Sequence, residues 1–305
     1  MTRLGVRAPG KVNLCLLVGG LRSDGRHEVV NVLESVSLYD ELELTVLSGE
    51  GPDEVVCPGV AGPNLVAAAL EGLRSRGWDG PRLRIEIDKR VPVAGGMAGG
   101  SSDAAAALRL AETVHPVADE LIAVVAAELG SDVPSQLIPG VWIATGAGAS
   151  VEAGEPLEAH AYVVVPQPFE LSTADVYQEA DRLGGLRPDA ELSPALEAVR
   201  TVLSLPGGRL PAELAINDLE PAALSLRPEI ADVLDRVRAA GAESAFVSGS
   251  GPTVVGLLWG EGAEARADAL AAELSGRYPG ACAAVPVGEG FGQPSPRSGR
   301  IPEDS

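Results

Sequence analysis

The sequence predicts an α+β fold of two domains. A chain of 305 residues is long enough for two modest domains. Strand-like and helix-like segments are mixed in both halves, and no segment repeats another. The expected boundaries are 1–154 for the first domain and 155–288 for the second, with a disordered tail over 289–305 where Gly, Pro, Ser and charged residues crowd together.

Each element has a local reason. Residues 3–20 read as a strand broken at Ala8-Pro9-Gly10, and Ser23-Asp24-Gly25 as a turn. Val29–Ser37 and Asp40–Leu47 read as strands. Asn64–Arg76 has helical periodicity with Asn64 as a cap, and Leu83–Ile87 alternates as a strand. An alanine-rich helix follows from Asp103 to about Thr113, then a second helix over Ala118–Leu129 stopped by Gly130. Val141–Ala144 reads as a strand. The second half holds strands at Ala161–Val165, Ser244–Ser248, Thr253–Leu258 and near Ala281–Val287. Its helices are Ser172–Leu183, Pro228–Ala240 and Ala263–Ser275, with 184–194 and 204–211 as Gly/Pro-rich connectors.

Composition narrows the function. Hydrophobic residues make up 46% of the chain, yet no apolar run reaches the roughly 18–20 residues of a membrane span. The opening MTRLGVRAPGKVN has no apolar leader stretch, so a soluble cytoplasmic protein without a membrane partner is expected. A formal net charge of −20 disfavours nucleic acid as a partner. Small anionic ligands stay open, because helix N-termini and a few placed cations hold phosphate inside acidic proteins. Cys15, Cys57 and Cys282 suggest neither a disulfide framework nor a zinc site. Of 23 basic residues only Lys11 and Lys89 are lysines, and both flank glycine-rich features.

The strongest motif is PVAGGMAGGSSDAAAAL, Pro92 to Leu108. Its glycines let backbone N–H groups turn toward a ligand, and the following helix adds a positive dipole end. Pro92, Val93, Ala94, Gly95, Gly96, Met97, Ala98, Gly99, Gly100, Ser101 and Ser102 therefore form an expected anion site. No G-K-[ST] follows, no G-x-G-x-x-G fits, and G-x-S-x-G is absent, so the loop is neither a Walker A loop, a dinucleotide fingerprint nor a nucleophile elbow. Lys11 follows a Pro-Gly break, and Asp132 sits at a helix stop in LGSDVP. By spacing alone, each reads equally well as a solvated or turn residue.

The loop resembles the phosphate loop of the GHMP kinases. APGKVNLCL with DGRHEV, LGSDVP, and INDLEP followed by VSGSGPTVVGLL resemble one branch of that family. Its acceptor is an alcohol carrying a cytidine diphosphate, made for isoprenoid precursors. The resemblance runs from about Arg7 to Val287. It implies a two-domain GHMP kinase fold, with an N-terminal domain like ribosomal protein S5 domain 2 and a ferredoxin-like C-terminal domain. It implies ATP as phosphoryl donor with Mg2+, a small-molecule acceptor, and a monomer or weak homodimer. Lys11 and Asp132 match its catalytic pair, which suits a loose transition state governed by positioning and charge. Asn64 and Lys89 would lie toward the nucleotide, and Ser102 is a candidate for the metal. Asn13, Arg26, His27 and Tyr177 would meet the acceptor, together with Gly249, Ser250, Gly251 and Thr253. Arg26 stands where the branch has tyrosine, and Ser135-Gln136 where aromatics are usual; Tyr177 reads equally as a core residue. Another acceptor, such as homoserine or a mevalonate-like alcohol, remains an alternative, as does a non-catalytic ligand sensor.

Overall fold

Two long strands, β1 (Arg3–Leu21) and β2 (His27–Val46), form an antiparallel ribbon that serves both halves of the molecule. The computed structural model describes residues 3–60, 62–148 and 150–297. The expected break at Pro9-Gly10 is a register shift within one continuous strand, and the two strands expected over 29–47 are likewise one. Proline removes a ladder donor at that point, so the strand bends there without ending. The late half of β2 pairs with β4 (Leu83–Asp88) and the early half with β5 (Val141–Gly146). β3 (Glu54–Val56), β6 (Ser150–Gly154) and β11 (Ser295–Pro296) complete this sheet.

The bend divides the ribbon between two cores. Before it, Leu4 and Val6 join Leu42, Leu44, Ile85 and Ile87 under the helices α1 (Leu65–Arg74), α2 (Gly99–Val114) and α3 (Asp119–Leu129). A four-residue helix, α4 (Val133–Gln136), follows α3. After the bend, Val12, Leu14, Val30 and Val32 pack on a second sheet. That sheet is antiparallel, in the order β10-β7-β9-β8, built from β7 (His160–Val165), β8 (Ser244–Val247), β9 (Val254–Trp259) and β10 (Cys282–Ala284). Its outer face carries α5 (Thr173–Leu183), α7 (Glu220–Leu226), α8 (Glu229–Ala239) and α9 (Ala263–Ser275). The first sheet's last consecutive strand ends at Gly154 and the second sheet begins at His160. No helix of the described residues is long and apolar enough to cross a membrane.

The sequence expectation lacks β3, β6, α4 and α7, and differs from the structure in three further segments. Part of the 184–194 connector belongs to a helix, α6 (Asp189–Leu203), which contains Pro194 and buries Leu192, Val199 and Leu203. Pro194 stands in the second turn of α6, where it removes one i→i−4 hydrogen bond, and the burial of Leu192, Val199 and Leu203 outweighs that loss. α2 starts at Gly99, four residues before the expected start at Asp103. Residues 289–297, expected in the tail, pack on the first sheet: β11 pairs with β1, and Phe291 lies edge-on to Tyr39. Arg109 Nε donates to the Gly292 carbonyl at 3.0 Å. One aromatic, one arginine and an open strand edge outweigh a composition rich in Gly and Pro. Residues 298–305 lie outside the described residues.

A buried polar cluster joins the two sheets. Glu34 of β2 accepts from Tyr162 Oη and from His160 Nε2, the latter at 2.7 Å, while His160 Nδ1 faces the Glu158 carbonyl at 2.7 Å. Both ring nitrogens face acceptors, so His160 is held as imidazolium. Burial lowers its pKa, but Glu34 and the Glu158 carbonyl outweigh that and the net direction is up. A raised histidine pKa contributes stability that is complete below the unfolded value near 6.5 and fades as pH rises through the folded value. Glu34→Gln should therefore lose about 3–5 kcal/mol and flatten the dependence of stability on pH above about 6.5. Denaturant unfolding at acidic and alkaline pH measures both, and an unchanged slope would remove the imidazolium from the account.

Candidate active site

The glycine loop, the β1–β2 ribbon, the start of α5 and the turn between β8 and β9 enclose one cavity of about 1240 Å³. That exceeds the roughly 300–1,000 Å³ of a single-ligand site and leaves room for two substrates side by side.

The loop supplies one wall. Ala94 and Ala98 adopt left-handed backbone (φ 51° and 53°), a strain of order 1–3 kcal/mol each. Ala98 occupies the cap position of α2 and offers no side-chain cap, so the first N–H groups of the helix remain open to a ligand. The early start at Gly99 puts Gly99, Gly100 and Ser101 in that first turn, and all three line the cavity. Pro92 through Gly96 and Ala98 line it as well. Met97 and Ser102 do not: both are fully buried beneath the loop, and the Ser102 hydroxyl has no partner. Ser101, not Ser102, is the hydroxyl on the cavity wall.

The loop rests on the other two motifs through Gly96. Its carbonyl accepts from Lys11 Nζ at 2.7 Å and from Ser248 Oγ at 3.2 Å. Gly96 has φ +76°, and a Cβ there would lie 2.0 Å from the Ser248 carbonyl oxygen. Only glycine fits. Lys11, 3% exposed, also donates to Asn13 Oδ1 at 2.5 Å, and lies 3.9 Å from Asp132 Oδ2. Burial lowers the Lys11 pKa and the Asp132 charge pulls it back up, with a net fall. Asn13 Nδ2 in turn donates to Asn31 Oδ1 at 3.0 Å.

The β8–β9 turn is held from below. Asn217 Nδ2 donates to the Val247 and Gly249 carbonyls, each at 2.7 Å, and Ser250 Oγ meets Thr173 Oγ1 at 2.9 Å. Gly249 and Ser250 line the cavity; Gly251 and Thr253 do not. Thr253 is fully buried, its Oγ1 lying where a Cβ on Gly95 would come within 2.8 Å. It supports the loop from behind.

Asn64 and Lys89 both line the cavity, with their side chains already engaged. Asn64 Oδ1 caps α1 through the Val66 N–H at 2.8 Å. Lys89 Nζ is clasped between Asp40 and Asp103, 2.7 Å from Asp103 Oδ2. Burial lifts the Asp103 carboxyl to about 7 against the pull of Lys89. Lys89 thus fastens the start of α2 to β2.

At the opposite end, His27 stacks on Tyr177 with ring centroids 5.1 Å apart and planes at 24°. His27 Nε2 lies 2.9 Å from Asp181 Oδ1. A carboxylate only accepts, so Nε2 carries the proton and, in the neutral ring, Nδ1 is the acceptor. Burial, with the charge of Asp132, pushes the Tyr177 phenol to about 12, so it stays protonated at neutral pH. Arg26 lines the cavity from the exposed hairpin tip, its backbone N–H bonded to Asp24 Oδ1 at 3.1 Å. Sequence reasoning did not single out Asp181, Asn31, Asp40, Asp103 or Asn217. Asp181 had a readable signal, since it lies one helical turn beyond Tyr177 on the same face of α5.

Fold and site together define a kinase of small alcohols. The GHMP kinases N terminal domain matches residues 64–140 and the GHMP kinases C terminal domain matches residues 206–280. The chain belongs to the GHMP kinase family, whose members use ATP as phosphoryl donor. A relative in Streptomyces avermitilis, 42% identical over 88% of this chain and 92% of its own length, bears the name 4-diphosphocytidyl-2-C-methyl-D-erythritol kinase. So does one in Thermobifida fusca, 42% identical over 92% of this chain and 94% of its own. A crystal structure of a 4-(cytidine 5'-diphospho)-2C-methyl-D-erythritol kinase aligns with a TM-score of 0.71 at 31% identity, covering 93% of this chain and 99% of that one. Homoserine kinase from Cytophaga hutchinsonii shares the fold, with a TM-score of 0.61 at 18% identity, over 97% of this chain and 98% of that one.

Gly96→Ala should separate the loop from Ser248 and lower kcat/KM about 100-fold, the scale of a 1 Å misplacement. Steady-state kinetics on the folded variant tests this, and near-normal kcat/KM would show that the contact is dispensable.

Proposed function

We propose that this kinase transfers the γ-phosphoryl group of ATP to the 2-hydroxyl of 4-diphosphocytidyl-2-C-methyl-D-erythritol, as a cytoplasmic step toward isoprenoid precursors. The observation that carries the reading is the Lys11–Asp132 pair, 3.9 Å apart, beside a phosphate loop in one cavity with a paired His27.

The nucleotide phosphates lie over the N-terminus of α2, held by loop N–H groups and Ser101, with the purine toward Asn64 and Lys89. No cluster of three or more His, Cys, Asp or Glu that could hold a metal exists among the described residues. Magnesium, expected with ATP in this reaction class, would come with the nucleotide and offset charge on its phosphates. Asp132 orients the acceptor hydroxyl and takes its proton late, as a loose transition state permits. Two Lys11 N–H groups are committed to Asn13 and Gly96, and the third faces Asp132 and the transferring group. Lys11 thus offsets charge from a fixed position.

The base of the acceptor lies against the His27–Tyr177 stack. With Nε2 committed to Asp181, a neutral His27 ring presents Nδ1 as an acceptor, which matches the exocyclic amine of cytosine and opposes the carbonyl of uracil. Asp181→Ala frees the ring to adopt either tautomer. It should raise the acceptor KM about 10-fold with a smaller change in kcat, the worth of one hydrogen bond. Equal changes in both constants would place Asp181 outside recognition of the base.

An ADP-release assay with a panel of alcohols tests the reaction. Turnover is expected with the cytidyl alcohol and not with homoserine or mevalonate; no turnover with any acceptor would favour a ligand sensor. Asp132→Asn should lower kcat by about 10²–10⁴-fold while a non-hydrolysable ATP analogue binds as before. Near wild-type turnover in that variant would remove Asp132 from the chemistry.

A further inference from the structure

Hydrogen-bond polarity runs outward from Lys11 in one direction. An ammonium has donors only, so Asn13 must turn its Oδ1 toward Lys11, at 2.5 Å. The Nδ2 end of Asn13 then faces Asn31, whose Oδ1 accepts at 3.0 Å. That fixes the Asn31 amide with its NH2 group pointing the other way. Asn31 lines the cavity, and its Nδ2, which makes no hydrogen bond among the described residues, is not sealed from solvent.

Its place in the sheet says which substrate it meets. Asn31 lies in the middle of β2, opposite Leu16 of β1 on one side and Ala144 of β5 on the other, so its backbone is fixed on both edges. His27, Val29 and Asn31 alternate onto one face of β2, and all three line the cavity. At about 3.3 Å per residue, Asn31 stands about 13 Å from His27 along the strand, at the Lys11 end of the acceptor's track. The phosphate loop is on the far side of Lys11, which donates to it through Gly96.

We infer that Asn31 is a further acceptor-binding residue, whose amide NH2 donates to an oxygen of the alcohol next to the carbon that is phosphorylated. The inference rests on the reading of the cavity given above. The amide is neutral, so it anchors that oxygen without competing with Lys11 for the transferring phosphoryl group. It also fixes the rotation of the acceptor about the reacting carbon, which decides which hydroxyl meets Asp132.

Two variants separate this role from that of a prop for Asn13. Asn31→Asp keeps the shape and keeps an acceptor for the Asn13 N–H, but offers no donor. Asn31→Ala removes both. Titration calorimetry with the cytidyl alcohol, in the presence of a non-hydrolysable ATP analogue, should show acceptor affinity reduced about 10-fold in Asn31→Ala and further in Asn31→Asp. Affinity for the ATP analogue should stay within about 2-fold of the unaltered protein. Steady-state kcat/KM for the acceptor should fall in the same order. Acceptor affinity and kcat/KM near wild type in Asn31→Asp, with loss only in Asn31→Ala, would make Asn31 a support for Asn13 and overturn the inference. So would an equal loss of nucleotide affinity. Absence of turnover in the unaltered protein counts against the proposed reaction, whereas the titrations still decide the role of Asn31.

Discussion

The carbonyl of Gly96 is the point on which the site depends. One oxygen accepts from the Lys11 ammonium and the Ser248 hydroxyl, and so ties the phosphate loop to the β1–β2 ribbon and to the β8–β9 turn. Three segments far apart in sequence meet there, and each needs the others in place. The loop holds left-handed backbone at Ala94 and Ala98, a conformation that persists only where surrounding structure over-determines it. Lys11 and Ser248 on the loop, with Lys89 clasped by Asp40 and Asp103 at the start of α2, supply that determination.

The same contact orients the chemistry. Because Lys11 spends two donors on Asn13 and Gly96, its remaining N–H and the nearby Asp132 define a small region where a hydroxyl and a phosphoryl group can meet. In the proposed reaction the nucleotide reaches that region from the N-terminus of α2 and the acceptor from the His27 end of β2. A single bent ribbon carries both Lys11 and His27. The Glu34–His160 pair beneath it fixes the ribbon to the second sheet, from which Tyr177, Asp181 and Ser250 are presented. On the proposed reaction, domain docking and substrate positioning share one scaffold.

Much of this was legible in the sequence because glycine and proline act locally. The loop from Pro92, the register shift at Pro9-Gly10 and the turn at Ser248–Thr253 all fall where those residues put them. Their roles depended on partners the sequence does not align. Lys89 reads as a residue near the nucleotide, but its clasp between Asp40 and Asp103, which fastens α2 to β2, shows only once those distant aspartates are seen on either side of it. Ser101 and Ser102 are adjacent and alike, and only the start of α2 at Gly99 decides which of them faces the cavity. Asn31 lies in an unremarkable apolar strand and gains meaning only through Asn13 across the sheet. α6 was hidden by Pro194, and the order of residues 289–297 by a composition typical of tails, since burial against a distant edge is not a local property.

The central claim is that this scaffold delivers the γ-phosphoryl group to one particular hydroxyl. Proton-coupled 31P NMR of the product tests it directly. The 2-carbon of the acceptor bears a methyl group and no hydrogen, so transfer to its hydroxyl gives a phosphomonoester resonance that remains a singlet, formed in step with ADP. A doublet or triplet would place the phosphate on a secondary or primary hydroxyl and contradict the account, as would ADP formation with no new phosphomonoester at all.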